Sequence, residues 1–375
     1  MNFDFSEEQN MLREHTRRLL EDSAPPDRLR ELITQSQPWD EPLWQSMAGL
    51  GLLGAAIPEA YGGTGLGETD LCVIAEEVGR AVSPVPFFSS ICLAAEAVKL
   101  AGTEAQKSKW LPRLASGESV GSFGICEGPG STQAASFALE FSNGKLNGFK
   151  SPVPDASLAE FCIVVAQRDN TQCLVLVELD QPGVGLTALD GLDQLRQHAR
   201  IDFTQADGEL MDGAETSSAL RALEHRAAVY CAFEQIGGAE ACLYMARDYA
   251  MERHIFARPV ASYQAIKHKL ADIFVAIEIA RSNAFFAAWA LEASPGEQAC
   301  ASATARLSGI TAYEMASREN LQVHGGIGYT WEANCHFHYK RARLLALNLG
   351  GTELWNARLI ETMAEDLNRN SDKAA

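Results

Sequence analysis

The hydrophobic period of this 375-residue chain changes twice, and that switch limits its possible folds more than any other feature. Over roughly the first 120 residues, apolar positions recur at helical spacing. Ser6 with Gln9, and Thr103 with Gln106, are capping-box starts; Pro112 is expected to kink or end the second helix. Leu71–Ala81 has helical spacing, Gly62–Gly65 after Pro58 reads as loop, and the small apolar stretch Gly49–Ala56 suits close helix packing. From about 121 to 210 the runs become short and β-rich: Val120–Cys126, Phe137–Phe141, Lys145–Phe149, Phe161–Ala166, Cys173–Leu179 and His198–Phe203. Asn143-Gly144 marks a hairpin, and Arg168–Gln172 turns another pair. After Glu215 helical spacing returns in Ser217–Arg253, Tyr263–Ala293, Gln298–Gln322 and an interrupted Arg341–Asn368. Alanine-rich faces there (Ala284, Ala287, Ala288; Ala301, Ala303, Ala305) allow close axes, as in a bundle. The expected class is α+β: an N-terminal helical domain (1–120), a central antiparallel β-domain (121–214) and a C-terminal four-helix bundle (215–375). Strand–helix alternation of the Rossmann kind is not expected.

Charge narrows the partners. Forty-nine acidic residues against 31 basic ones give a net charge of −18, which argues against nucleic acid or an anionic membrane surface. The nine cysteines are scattered without a CxxC pair, as expected of reduced core thiols. No basic and apolar leader opens the sequence, and no uninterrupted apolar run reaches the ~20 residues of a membrane helix. A cytoplasmic protein is expected.

Several common sites are missing from the sequence, including GxGxxG after a strand, GxxxxGK[ST], GxSxG and HExxH. Cys335, His336 and His338 lack a second ligand group and read as a helix lead-in rather than a metal cluster. Two segments remain. His324-Gly325-Gly326-Ile327-Gly328-Tyr329 lets backbone N–H groups approach phosphate, although a helix C-cap would also explain it. Arg253-His254-Ile255-Phe256, before Pro259 and Gln264, could pair a phosphate and stack an adenine, or simply complement a helix C-terminus.

In this order and architecture the chain resembles the acyl-CoA dehydrogenases over nearly its whole length. The carriers are Gly51-Leu52-Leu53-Gly54, Ile57-Pro58-Glu59, Tyr61-Gly62-Gly63-Thr64-Gly65 and Ala75-Glu76-Glu77-Val78-Gly79-Arg80-Ala81, then Gly102-Thr103-Glu104 and Leu146-Asn147-Gly148 with Lys150. Glu252-Arg253, Phe256, Pro259, Gln264-Ala265 and Gln322–Tyr329 complete the set. The resemblance implies α,β-desaturation of an acyl-CoA thioester, a carboxylate taking the α-proton while a hydride passes to FAD. It also implies an electron-transfer flavoprotein as acceptor. Arg253, Phe256, Gln322, Gly325 and Gly326 would bind the adenosine-pyrophosphate end of the cofactor, and Cys126, Thr132 and Thr352 its ring side.

Departures from the family pattern cluster on the ring side. The usual base is a Glu before a Gly-Thr pair; here Gly350 precedes Gly351-Thr352. The alternative base position, on the first bundle helix, is Ala227. Glu224 and Glu234 lie near it and read as surface or interface ion-pair residues rather than bases. The ring loop reads Cys126-Glu127-Gly128-Pro129-Gly130-Ser131-Thr132, the Trp-x-Thr/Ser segment reads Pro152-Val153-Pro154, and Leu354 replaces a Gln. These losses imply a subunit of a hetero-oligomer with a homologous partner, as in the bacterial steroid and side-chain degradation subgroup. Such a chain would be a dehydrogenase with a degenerate site of its own, or a structural subunit completing a partner's FAD site; a flavin oxidase or monooxygenase ranks last. Gly350 is expected to offer a backbone N–H to the thioester carbonyl, and Arg253 and Arg341 to gather positive charge for the anionic ligands. Small pocket residues point by analogy to a bulky acyl group such as a steroid side chain.

Overall fold

The computed structural model describes residues 5–37, 39–128 and 138–374, with side chains to residue 364. Six α-helices come first: α1 (Glu7–Ser23), α2 (Pro26–Thr34), α3 (Glu41–Gly49), α4 (Glu68–Arg80), α5 (Glu96–Ala101) and α6 (Glu104–Ala115). Both capping boxes form. Ser6 and Gln9 exchange bonds of 3.0 and 3.2 Å, and Thr103 and Gln106 do the same. Pro112 does not end α6, which runs three residues past it to Ala115. A π-helical stretch, Phe88–Ala95, leads into α5.

Eight strands follow: β1 (Gly121–Gly124), β2 (Glu140–Ser142), β3 (Lys145–Pro154), β4 (Phe161–Arg168), β5 (Thr171–Glu178), β6 (Val184–Leu189), β7 (His198–Asp207) and β8 (Glu209–Met211). They form one sheet in the order β6-β7-β3-β2-β4-β5-β8, with β1 also on β4. The expected antiparallel sheet is therefore mixed: β1 and β2 both pair β4 in parallel. Asn143 and Gly144 take φ of 50° and 75°, as a two-residue hairpin turn requires, and Asp169-Asn170 does likewise between β4 and β5. Strands β6 and β8 escaped the sequence reading. Most of β6 is exposed, so no apolar alternation marks it, and β8 has only three residues. One sheet face carries the core, including Leu146, Val164, Val175 and Ile201.

The helical return comprises α7 (Thr216–Glu252), a short hairpin of β9 (His254–Ile255) and β10 (Arg258–Pro259), then α8 (Gln264–Ala293), α9 (Gln298–His324), α10 (Cys335–Leu347) and α11 (Thr352–Ala374). Among the described residues, α8 is the one helix long and apolar enough by composition to cross a membrane. It carries Glu278 and Arg281 and packs along α9. Among the described residues no disulfide forms, and seven of the nine cysteines are buried.

Contacts divide the chain into two compact units. One gathers Met1–Glu21, Cys72–Ser83 and Ala228–Ala375; the other gathers Asp22–Leu71 and Pro84–Ala227. In the first, α4 crosses α7 at two glycines: a Cβ on Gly79 would run into the Glu234 carbonyl, and one on Gly237 into that of Glu76. This close approach buries Glu76 and Glu77. Their charges are met by Arg13, Arg17, Arg80 and Arg281, with Glu240 as the third carboxylate. Glu77 accepts from Arg17 at 2.8 and 2.9 Å and from Arg80 at 3.0 Å. Replacing Glu77 by Gln leaves two guanidinium groups short of charge, at a cost of about 3 kcal/mol. A urea unfolding curve of the variant should show that loss, and an unchanged midpoint would contradict it.

Candidate functional site

Arg253 and Phe256 sit at the hairpin that closes α7. The Arg253 N–H donates to the Tyr249 carbonyl at 2.9 Å, and the Val260 N–H donates to that of Arg253 at 2.8 Å. The two-residue turn at the tip is Phe256-Ala257, at φ 52° and 60°. Neither is glycine or asparagine, so each holds its left-handed conformation at a cost of order 1–2 kcal/mol. Phe256 is also 89% exposed. A large apolar ring held open to solvent on a strained turn is a feature that fold stability alone does not require.

The end of α9 meets this hairpin. Val323 packs with Ala246, Ala250 and Val260, and the His324 ring stacks on Tyr249 at 4.1 Å and 23°. Gln322 is exposed on the same last turn. Gly325 follows at φ 64°, ψ −141°, a region essentially restricted to glycine. A Cβ on Gly325 or Gly326 would meet nothing within 4 Å. The space beside this backbone is open, so the glycines leave room for a ligand rather than for a packed neighbour. The structure thus brings Arg253, Phe256, Gln322, Gly325 and Gly326 to one end of this unit, and the open backbone with an exposed cation fits the adenosine-pyrophosphate half of FAD.

The position expected from the sequence to hold a base, Gly350, lies elsewhere on the same unit. Gly350 falls in the turn between α10 and α11, at φ 91°, after Leu349 at φ 61°. Its N–H donates to the Leu347 carbonyl at 3.1 Å. The expectation that this N–H is available to a thioester is therefore corrected: the turn itself uses it. Two buried side chains hold the turn. Arg306 donates to the carbonyls of Asn348, at 2.5 Å, and Leu345, and the Trp355 indole donates to that of Leu349 at 3.1 Å. Thr352 is exposed at the start of α11. Arg306 and Gln322 are 16 residues apart on α9, about 24 Å along its axis.

Glu234 is no surface carboxylate. It is 1% exposed and faces the equally buried Arg341 at 3.6 Å, while Arg341 also donates to the Ser83 carbonyl at 3.5 Å. Arg341 thus serves the interior, and the positive charge expected of it for an anionic ligand is withdrawn. Ala227 is fully buried, and Glu224 is half-buried one turn before it. In the other unit, Cys126 is half-buried, and the segment it opens is zipped to β3: Ser151 donates to Cys126, and Gly128 to Ser151, both at 2.8 Å. Next to it Lys150 is buried against Glu127 at 2.7 Å. Burial pushes the Lys150 amine down and Glu127 opposes the shift. Thr132 lies outside the described residues. His336 stacks on Trp331 and His338 bonds Tyr313 at 3.0 Å, both packing roles.

Residues 6–118 match the N-terminal domain of acyl-CoA dehydrogenases and residues 216–364 the C-terminal domain. The chain belongs to the acyl-CoA dehydrogenase family. It is 29% identical to the acyl-CoA dehydrogenase IpdE2 of Mycobacterium tuberculosis, over 90% of this chain and 91% of that one. Among solved structures it is similar to the Tcur3481-Tcur3483 steroid ACAD variant, at 30% identity and a TM-score of 0.89, covering 96% of this chain and 99% of that one. The ChsE4-ChsE5 complex from Mycobacterium tuberculosis is similar at 25% identity and TM-score 0.89, covering 97% and 99%.

Arg306 and Trp355, which anchor the turn at Gly350, were missed in the sequence. A signal existed for Arg306: it falls on the small-residue face of α9, with Ser302, Gly309 and Tyr313 at buried helical spacing. The site also carries a pH signature. Burial lowers the His324 pKa below its usual 6.5, against its bond to the Asn320 carbonyl, and in the other unit burial lowers His198, which Asp155 opposes. A depressed folded value makes stability full above about pH 6.5 and lost as pH falls through the folded pKa. Thermal unfolding at about pH 5 should therefore come earlier than at about pH 7.5, and His324→Asn should shrink the difference. An unchanged difference in the variant would contradict this.

Proposed function

We propose that this chain is an FAD-dependent subunit of a hetero-oligomeric acyl-CoA dehydrogenase, lending the adenosine-pyrophosphate half of a cofactor site to a homologous partner. In that complex α,β-desaturation of the acyl-CoA thioester uses the partner's base. The observation that carries this reading is an asymmetry. Arg253, Phe256, Gln322, Gly325 and Gly326 are displayed with open space around the glycines, whereas Gly350 and Ala227 offer no carboxylate at either base position. Bound FAD supplies a hydride acceptor. This chain's residues would hold its far end: Arg253 against phosphate, Phe256 against adenine, and the Gly325-Gly326 backbone close to the pyrophosphate. Cys126, Thr132 and Thr352 keep the ring-side assignment that the family resemblance implies, with no carboxylate at the expected base position. Glu224 and Glu234 would take no proton from substrate.

The names of the similar proteins support the finer reading. One is a steroid ACAD variant and another a complex of two named chains. We assign this chain a steroid-type or similarly bulky acyl-CoA in lipid catabolism, an electron-transfer flavoprotein as acceptor, and a cytoplasmic site of action. Its functional parts would be the helical segment 1–120, the β-segment 121–214 and the bundle 215–375.

Flavin content tests the proposal. The chain purified alone should carry far less than one FAD, and the complex with its partner should carry fewer FAD than chains. In that complex Arg253→Ala should weaken FAD binding about 10-fold or more, as loss of a charged phosphate contact does. One FAD per isolated chain, or an Arg253→Ala complex of normal affinity, would contradict it.

A further inference from the structure

The Arg253 cation and the Gly325-Gly326 backbone follow different helices, and their separation decides whether one ligand can reach both. Ala246, Tyr249, Ala250 and Arg253 recur at i, i+3, i+4 and i+7, a single stripe along the end of α7. Ala246 and Ala250 are small and buried, and they pack with Val323 of α9. Tyr249, between them, is the large member of the stripe, and its ring meets that of His324 at 4.1 Å and 23°. The imidazole is also tied to its own helix, since its Nδ1 donates to the Asn320 carbonyl at 2.9 Å. From this contact each ligand-facing group is one short step away. Arg253 follows Tyr249 by about one helical turn, with its N–H still bonded to the Tyr249 carbonyl, and Gly325 directly follows His324. We propose that the Tyr249–His324 stack is the spacer of this end, a pair of positioning residues that set the distance between Arg253 and the Gly325-Gly326 backbone.

Gly328 supports the same assignment. A Cβ on Gly325 or Gly326 would meet nothing, whereas one on Gly328 would lie 2.8 Å from the Leu321 carbonyl oxygen and 2.9 Å from Cβ of His324. The contacted atoms are backbone and the root of a side chain, so neither can swing aside as a side-chain tip can. The short 3-10 segment Gly325–Tyr329 is therefore folded back onto the last turn of α9 and rests against the stacked histidine. The glycine run divides by role: 325 and 326 keep space open, and 328 permits close packing. His324 is held by Tyr249, by Asn320 and by Gly328, and it fixes the backbone that leaves it. Removing either ring frees that backbone without touching the charge of Arg253 or the glycines themselves.

This inference rests on the reading of this end as a cofactor site, and Arg253→Ala separates the two. FAD affinity is measured in the complex with the partner, and in the isolated chain if that alone holds FAD. The variants are Arg253→Ala, Tyr249→Ala, His324→Ala, His324→Phe and the Arg253→Ala, His324→Ala double variant. Tyr249→Ala and His324→Ala should each weaken binding about 5-fold or more, while His324→Phe, which keeps a ring on Tyr249, should stay within about 2-fold of wild type. Because the stack acts by placing the glycines relative to Arg253, the losses should not add. In the Arg253→Ala background His324→Ala should cost about 2-fold or less. Additive losses, or a His324→Phe as weak as His324→Ala, would overturn the spacer. Should His324→Ala fail to fold, the same cycle run with Tyr249→Leu decides by the same criterion. Weak binding in Arg253→Ala with normal binding in the ring variants overturns the spacer alone. Normal binding in Arg253→Ala overturns the cofactor reading and the spacer with it.

Discussion

A buried guanidinium on the end of a helix sets the functional limits of this chain. Arg306 is fully buried on α9 and donates to the Gln235 side chain and to the carbonyls of Leu345 and Asn348. The last carbonyls of α10 lack helical partners and carry the negative end of its dipole, so a cation there is stabilised without a carboxylate. Burial pushes the Arg306 pKa down, yet an arginine stays protonated over the working range. Everything at the base turn follows from that anchor. Asn348 is fixed, Leu349 and Gly350 must turn left-handed to reach α11, and Trp355 seals the corner.

The second constraint is the crossing of α4 and α7 at Gly79 and Gly237. Small residues let the backbones approach until no side chain fits between them. The neighbouring carboxylates Glu76 and Glu77 are buried by that approach and have to be met by arginines from other helices. A buried ion-pair network adds little net stability, but it penalises every arrangement that leaves one member unpaired. The same logic explains Glu234 and Arg341. Both were plausible ligand or catalytic groups by residue type, and both are interior partners by position.

How much could be read in advance depended on whether the signal was local. Capping boxes at Ser6 and Thr103, the Asn143-Gly144 turn and the long helical periods are short-range patterns, and the structure forms each of them. The glycine run at 325–328 was legible as backbone chemistry, although its contact with the hairpin at Phe256 depends on Tyr249 and Val260, which no motif flags. Parallel pairing of β1 and β2 with β4 involves partners far apart in sequence, so alternation alone could not distinguish it from an antiparallel sheet. The left-handed φ at Gly350 belongs to the turn between α10 and α11, which the sequence Leu-Gly-Gly-Thr does not specify on its own.

On the proposed reading, this acyl-CoA dehydrogenase-family chain offers its exposed Arg253, Phe256 and Gly325-Gly326 segment to the dinucleotide and has Gly350 where a base is expected. The most direct measurement is anaerobic. The isolated chain, with FAD added to the solution, is mixed with a bulky acyl-CoA and the flavin absorbance is followed, with enoyl-CoA assayed in the same sample. The flavin should stay oxidised and no enoyl-CoA should form until the homologous partner is added. Bleaching of the flavin with formation of enoyl-CoA by the isolated chain would contradict the account.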